Sequence, residues 1–221
     1  MILVAIDTST RYAAVGVTNE SGIKICRSWR SNQNHSRELM PAIVDCFDEL
    51  SLVPNQTTHV AVALGPGGFS SVRVGISTAL GLITPRRLPV AGVPTHKIEV
   101  EPYLAEIDSG TPIYSLIPAG RNEISWNRHD STVETEKGVA RPEELAGIIE
   151  TNALLCGEAC EMMTGIVDQS RLKARDVPKR DPHTLIDIAQ RMFADDQATP
   201  YEQLRPIYAR PPSISQPKRP K

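Results

Sequence analysis

Two stretches of the 221-residue chain carry residue types that could do phosphate chemistry. Asp7-Thr8-Ser9-Thr10 follows Ile2–Ile6, an apolar run that reads as a buried strand. A carboxylate at the end of a strand, with hydroxyls behind it, can hold a magnesium–phosphate pair; the plainer reading is a strand end closed by a polar turn. Gly65-Pro66-Gly67-Gly68 lies between strand-like Val60–Leu64 and a helix from Ser70 to Ile83. The glycines can take positive φ and admit close approach, and Pro66 stiffens the turn. Ser70 or Ser71 can cap the helix, whose free N–H groups favour an anion. Asp7, Thr8, Ser9, Gly65, Gly67 and Gly68 therefore form the candidate phosphate-binding set. No Gly-Lys-Ser/Thr follows, so the loop is not a Walker sequence, and it is not a dinucleotide fingerprint. As a pattern, turn and anion cradle stand equal.

Other chemistries find less support. Ser70 lacks the G-x-S-x-G setting of a nucleophile. His35, His59, His96, His129 and His183 are scattered singly, and no pair has helical metal-ligand spacing. Cys156 and Cys160 flank a Gly-Glu and read as small core residues, with no metal expected. Glu158 could meet a ligand, although a cap on the next turn is the simpler role. Lys179-Arg180 and the basic end of the chain read as solvated, with weak nucleic-acid contact as the sharper alternative.

The elements that would position these residues follow the order βββαβαβ. Tyr12–Thr18 and Ile23–Trp29 flank the turn Asn19–Gly22 as a hairpin. Ser36 could cap a helix to Leu50, in which Pro41 should make a kink. After Leu88–Val93 come a helix at Thr95–Ala105, strands at Thr111–Ile117 and Glu123–Trp126, and a helix from Arg141 to Glu150. A strand at Ala153–Cys156 and a helix at Pro182–Ala194 complete the pattern. No solenoid-type repeat is visible. From Arg205 there are five basic residues, no acid and prolines at 206, 211, 212, 217 and 220, so the end is expected to be disordered.

With 40% hydrophobic and 23% charged residues the composition is that of an ordinary globular protein. The net charge of −2 gives no general affinity for nucleic acid, and 5% aromatics argue against a stacking surface for single strands. The first apolar run lacks a basic leader, and the cysteines form no CxxC or disulfide framework, so a cytoplasmic location is expected.

Two helices suggest a partner. In Ser36–Leu50, residues Leu39, Met40, Ile43, Val44 and Phe47 fall on an apolar arc of roughly 140°. Between Ser71 and Ile83 the sole charge is Arg73, and Val72, Ile76 and Ala79 share one face, with Gly75 and Ala79 leaving a smooth groove. Such a helix, apolar nearly all round, should be covered on every side. It is too short for a membrane span, which takes about 20 apolar residues. The expected interface is Leu39, Met40, Ile43, Val44, Phe47, Val72, Gly75, Ile76 and Ala79.

ILVAIDTST, HSRELMPAI, GPGGFSSVRVGISTALGL, PVAGVPT and PIYARPPSI, in that order over nearly the whole chain, resemble the TsaB (YeaZ) family. The resemblance implies an α/β, actin-like (ASKHA, ribonuclease H-like) fold of two lobes, the second reduced. Residues 1–100 would form the first lobe with the partner-binding helices, 101–200 the smaller lobe, and 201–221 a partly disordered tail. It also implies a non-catalytic subunit without a cofactor. That subunit would pair with the catalytic paralogue TsaD, act with the ATPase TsaE, and meet tRNA through the complex, supporting threonylcarbamoyl transfer to N6 of adenosine 37 in ANN-decoding tRNAs. A homodimer through the same helices is expected for the free chain. The paralogue's metal-binding histidine pair is represented here by His35 alone. The family's usual GPGSFTGLR becomes GPGGFSSVR, with Gly68 and Ser71 changed, and Pro118 replaces an aspartate; both departures weaken nucleotide binding. The alternative is a small nucleotide-binding ATPase or phosphotransferase using Asp7 and the Gly65–Gly68 loop.

Overall fold

The apolar run at the start of the chain becomes the central strand of a sheet covered on both faces. Strands β1 (Leu3–Asp7), β2 (Tyr12–Thr18), β3 (Lys24–Arg30), β4 (His59–Ala63) and β5 (Val90–Val93) lie in the order β3-β2-β1-β4-β5. β2 runs antiparallel to β1 and β3, while β4 and β5 are parallel to β1. Alternate residues of β1 serve opposite faces. Val4 and Ile6 pack with helices α1 (His35–Glu49) and α2 (Phe69–Ile83), whereas Leu3 and Ala5 pack with α5 (Pro182–Ala194) through Leu185, Ile186, Ile188 and Ala189. Covering both faces explains why the strand is apolar at every position. The computed structural model describes residues 1–104, 110–130, 133–173 and 181–210.

A second sheet repeats the plan. β6 (Ile113–Pro118), β7 (Ile124–Asp130), β8 (Val133–Ala140), β9 (Leu154–Cys156) and β10 (Leu172–Lys173) lie in the order β10-β9-β6-β7-β8. Counted from its own first strand this is again 3-2-1-4-5, with the second strand antiparallel and the fourth and fifth parallel. The reduction lies in the helices. α4 (Pro142–Ala146) has 5 residues, and a 3-10 turn at Glu158–Met163 follows β9. α3 (Thr95–Val100) joins the sheets, His96 donating to or accepting from Ser115 and Ser125 of the second sheet at 2.8 and 3.0 Å.

Several expectations are corrected. α5 falls within 101–200 yet belongs to the first sheet, because its apolar face fits the side that α1 and α2 leave open. α1 starts at His35 after Asn34 with no side-chain cap, so Ser36 is not its cap; Pro41 lies inside the helix, as read from the sequence. Pro41 is on the exposed side, where a carbonyl deprived of its amide partner can turn to water. α2 starts after Gly68, and neither Ser70 nor Ser71 caps it. β8 has no apolar alternation to announce it, since most of it is exposed edge carrying Glu134, Glu136 and Lys137. Residues 199–210 form a strap, not a loose tail. Thr199 N–H donates to Val90 O at 2.7 Å, Leu204 enters the first core, and Ile207 N–H donates to Leu64 O at 2.7 Å. Arg210 then pairs with Glu123 beside the β6–β7 turn. Lys179, Arg180 and 211–221 lie outside the described residues.

Candidate functional site

Asp7 ends β1 and Gly65–Gly68 links β4 to α2, so the parallel pairing of β1 and β4 brings both stretches to one edge of the sheet. There they close on each other. Asp7 Oδ1 accepts from the Ser9 amide at 2.9 Å and the Ser9 hydroxyl at 2.6 Å. Thr8 Oγ1 donates to Ser71 O at 2.6 Å, and Gly68 N–H donates to Ser9 O at 2.7 Å. A Cβ on Gly67 would overlap the Ser9 carbonyl. Gly65, at φ +94°, has the Ile207 carbonyl of the strap against it. Asp7, Thr8 and Ser9 are buried. The structure thus places the six candidate residues side by side, with Gly67 and Gly68 in close contact with Ser9 and Gly65 against the strap.

Beside them lies a cleft of about 840 Å³ between the two sheets, walled by Arg11, His35, Ser36, Ser70, Glu158 and Glu161 among others. Arg11 spans it. Its Nε lies 2.9 Å from Glu158 Oε1, and its terminal nitrogen donates to Glu161 Oε2 at 2.9 Å. Burial pulls the Arg11 pKa down, but Glu158, with Tyr12 and Glu161, outweighs it and holds the guanidinium above its ordinary value. Glu158 is 4% exposed. Its expected role as a turn cap gives way to this ion pair, and Arg11 is the cleft residue that sequence reasoning missed. A lone arginine after a polar turn carries no signal of a partner so distant in sequence.

His35 Nε2 donates to Thr10 O at 2.8 Å, which engages the one imidazole on α1 in backbone contact. Among the described residues there is no group of three or more His, Cys, Asp or Glu able to hold a metal ion. Burial pushes the Cys26 thiol up to about 11, which suppresses thiolate chemistry there. No described helix is long and apolar enough to cross a membrane.

The expected interface is largely the chain's own core. Leu39, Ile43, Phe47, Val72, Ile76 and Ala79 are at most 4% exposed, and Gly75 is buried where a Cβ would meet Thr8 Oγ1 at 2.5 Å. The wide apolar arc of α1 reflects packing on β2 and on α2 together. Two of the nine residues remain outward. Met40 is 43% and Val44 39% exposed, one turn apart on α1. Within this chain α2 leaves Arg73, Ser77 and Gly81 exposed.

Two sheets of 3-2-1-4-5 order enclosing a cleft at the ends of their first and fourth strands define an α/β protein of the actin-like (ASKHA, ribonuclease H-like) class. The profile of the family described as "TsaD: tRNA N6-adenosine threonylcarbamoyltransferase" matches residues 30–154, more than half of the chain. The chain is 25% identical over 228 residues to the Escherichia coli "tRNA threonylcarbamoyladenosine biosynthesis protein TsaB", covering 95% of each. It is 24% identical over 225 residues to the Haemophilus influenzae protein of the same name, covering 95% and 94%. The solved structure "YeaZ from Pseudomonas aeruginosa" superposes with a TM-score of 0.73 at 23% identity, covering 94% of this chain and 99% of that one. The chain belongs to this family, in its TsaB (YeaZ) branch.

Proposed function

We propose that the chain is a non-catalytic scaffold subunit in the biosynthesis of tRNA threonylcarbamoyladenosine. It binds the catalytic paralogue TsaD in the cytoplasm, assembles with TsaE, and supports threonylcarbamoyl transfer to adenosine 37 of ANN-decoding tRNAs. The observation that carries this reading is the glycine loop, whose Gly68 amide is spent on the Ser9 carbonyl and whose Gly67 is pressed against it. A loop closed in this way supports holding a helix in place rather than handling a phosphate. The partner surface is proposed around Met40 and Val44, the apolar side chains of α1 that face outward beside α2. In the absence of TsaD, two copies would pair through the same surface with two-fold symmetry.

Copurification with the TsaD of the same organism tests this directly, together with incubation of the isolated chain with threonylcarbamoyl-adenylate and tRNA. Capture of TsaD and no modification by the chain alone are expected; robust modification by the chain alone would overturn the reading. The second reading, a small ATPase or phosphotransferase, is favoured by the cleft of about 840 Å³. A titration with ATP and magnesium separates the two. A ligand that binds only the folded state at 100 times its Kd raises stability by about 2.7 kcal/mol, and no such rise is expected here.

A further inference from the structure

The two sheets share one strand plan, and the charges that cross the cleft follow it. In the first sheet β1 and β4 are parallel neighbours, so the chain leaves both at the same edge; in the second sheet β6 and β9 stand in the same relation. Arg11, after β1, pairs with Glu158 and Glu161, after β9. The strap joins the other two corners. It lies against the end of β4, where Ile207 N–H donates to Leu64 O at 2.7 Å and the Ile207 carbonyl meets Gly65. Tyr208 then stacks on Phe69 at the start of α2, with centroids 5.0 Å apart, and its hydroxyl accepts from Arg73 Nε at 2.7 Å. From this seat Arg210 reaches Glu123, in the turn after β6. The end of the first strand of each sheet is thus tied to the end of the fourth strand of the other. The connection through α3 is less binding. Its apolar cluster with the second sheet has Val100, Ile113 and Cys156 as buried members, beside the hydrogen bonds of His96. An apolar junction of that size does not by itself fix the angle between two lobes, for which relative motion is the ordinary expectation.

We infer that these two charge ties are a latch that holds the cleft closed, with α3 as the pivot, and that the cleft opens when they are released. Ties at two separate corners of one edge resist both a swing and a twist of the lobes, which neither tie resists alone. They differ in character. The Glu158 side chain is 2% exposed, so its pair with Arg11 is weakly screened, and parting it strands a carboxylate away from water. Arg210 and Glu123, at 37% and 18%, lie nearer water, and the seated strap holds Arg210 in place. Anything that enters the cleft far enough to reach Glu158 must displace Arg11, so occupation of the cleft and release of the latch are coupled.

The test measures the distance across the cleft by double electron–electron resonance on the full chain. Nitroxides are placed on Arg30→Cys, at the end of β3, and on Thr164→Cys, after the 3-10 turn that carries Glu158, both exposed positions. Cys26→Ser removes the half-buried native thiol, and Cys46, Cys156 and Cys160 are buried from the label. An excess of unlabelled chain suppresses distances between copies. Arg11→Gln and Arg210→Gln should each broaden the distribution toward longer distances, and the two together should add a distinct longer distance absent from the parent. Glu123→Arg combined with Arg210→Glu rebuilds the second tie in reverse and should restore the parent distribution. If Arg11→Gln melts early, Glu158→Gln with Glu161→Gln removes the same tie without stranding a buried charge and must show the same broadening. A distribution unchanged in the folded double variant overturns the inference. So does a reversed pair that leaves the cleft as open as Arg210→Gln does, since the effect would then not lie in the ion pair.

Discussion

Arg11 reaches across the cleft to Glu158 at 2.9 Å, tying the loop after β1 to the turn after β9. The side chains differ in burial, Arg11 being 42% and Glu158 2% exposed. Removing the arginine therefore leaves a buried carboxylate, whereas removing the carboxylate's charge leaves a cation that still reaches Glu161 and water. Arg11→Gln should cost about 1–2 kcal/mol in urea unfolding, the half-exposed cation discounting the value of a fully buried pair. Glu158→Gln should cost less. The reverse ranking would mean that the cleft is not held by this pair.

Gly75→Glu and Ala79→Glu should fail to fold, because each would place a charge in the core between α2 and β1. A loss of more than about 3 kcal/mol is expected for such an uncompensated charge. Met40→Glu and Val44→Glu should fold normally, elute as monomers and no longer capture TsaD. Alanine at Met40 should weaken that association by about 1–2 kcal/mol if it is an anchor. Calorimetry distinguishes the two pairs, and a native-like melt for Ala79→Glu would contradict the burial.

Removal of residues 213–221 should leave the melting temperature unchanged, since the contacts described for the strap, at Leu204, Ile207 and Arg210, all precede the cut. Leu204→Ala should cost about 2–4 kcal/mol, as expected for a leucine removed from a packed core. Thermal melts of the two variants check this, and equal behaviour would show that the strap is not docked.

His129 is 5% exposed, with Ser115 Oγ 3.3 Å from its Nε2. Burial lowers its pKa, and Glu134 and Asp130 only partly oppose this. The folded chain therefore keeps it neutral at pH values where the unfolded chain, with a pKa near ~6.5, takes up a proton. Its contribution to stability is complete above that value and is lost as pH falls toward the depressed one. His59 acts in the same direction. The urea midpoint should drop between pH 7 and 5, and His129→Gln should flatten the drop. The lowered pKa values of Glu38 and Glu150 act further down, below the ordinary carboxylate range.

The sequence by itself determined many of the local elements and the family. Continuous apolar runs gave β1 and β4, the turn Asn19–Gly22 gave the first hairpin, and Asp181-Pro182 gave the start of α5, where Asp181 accepts from the His183 amide at 2.9 Å. Such signals are legible because they depend on neighbours in sequence. Tertiary structure decided which apolar face is core and which is surface. Hydrophobic periodicity marks every residue that avoids water in one form or another, so Ala79 and Met40 look alike until β1 and α2 are packed. It likewise decided that α5 returns to the first sheet, that Arg11 meets Glu158, and that Tyr208 lies on Phe69. In each case the partner is remote in sequence, and only the crossing of the chain brings opposite charges or apolar faces within reach.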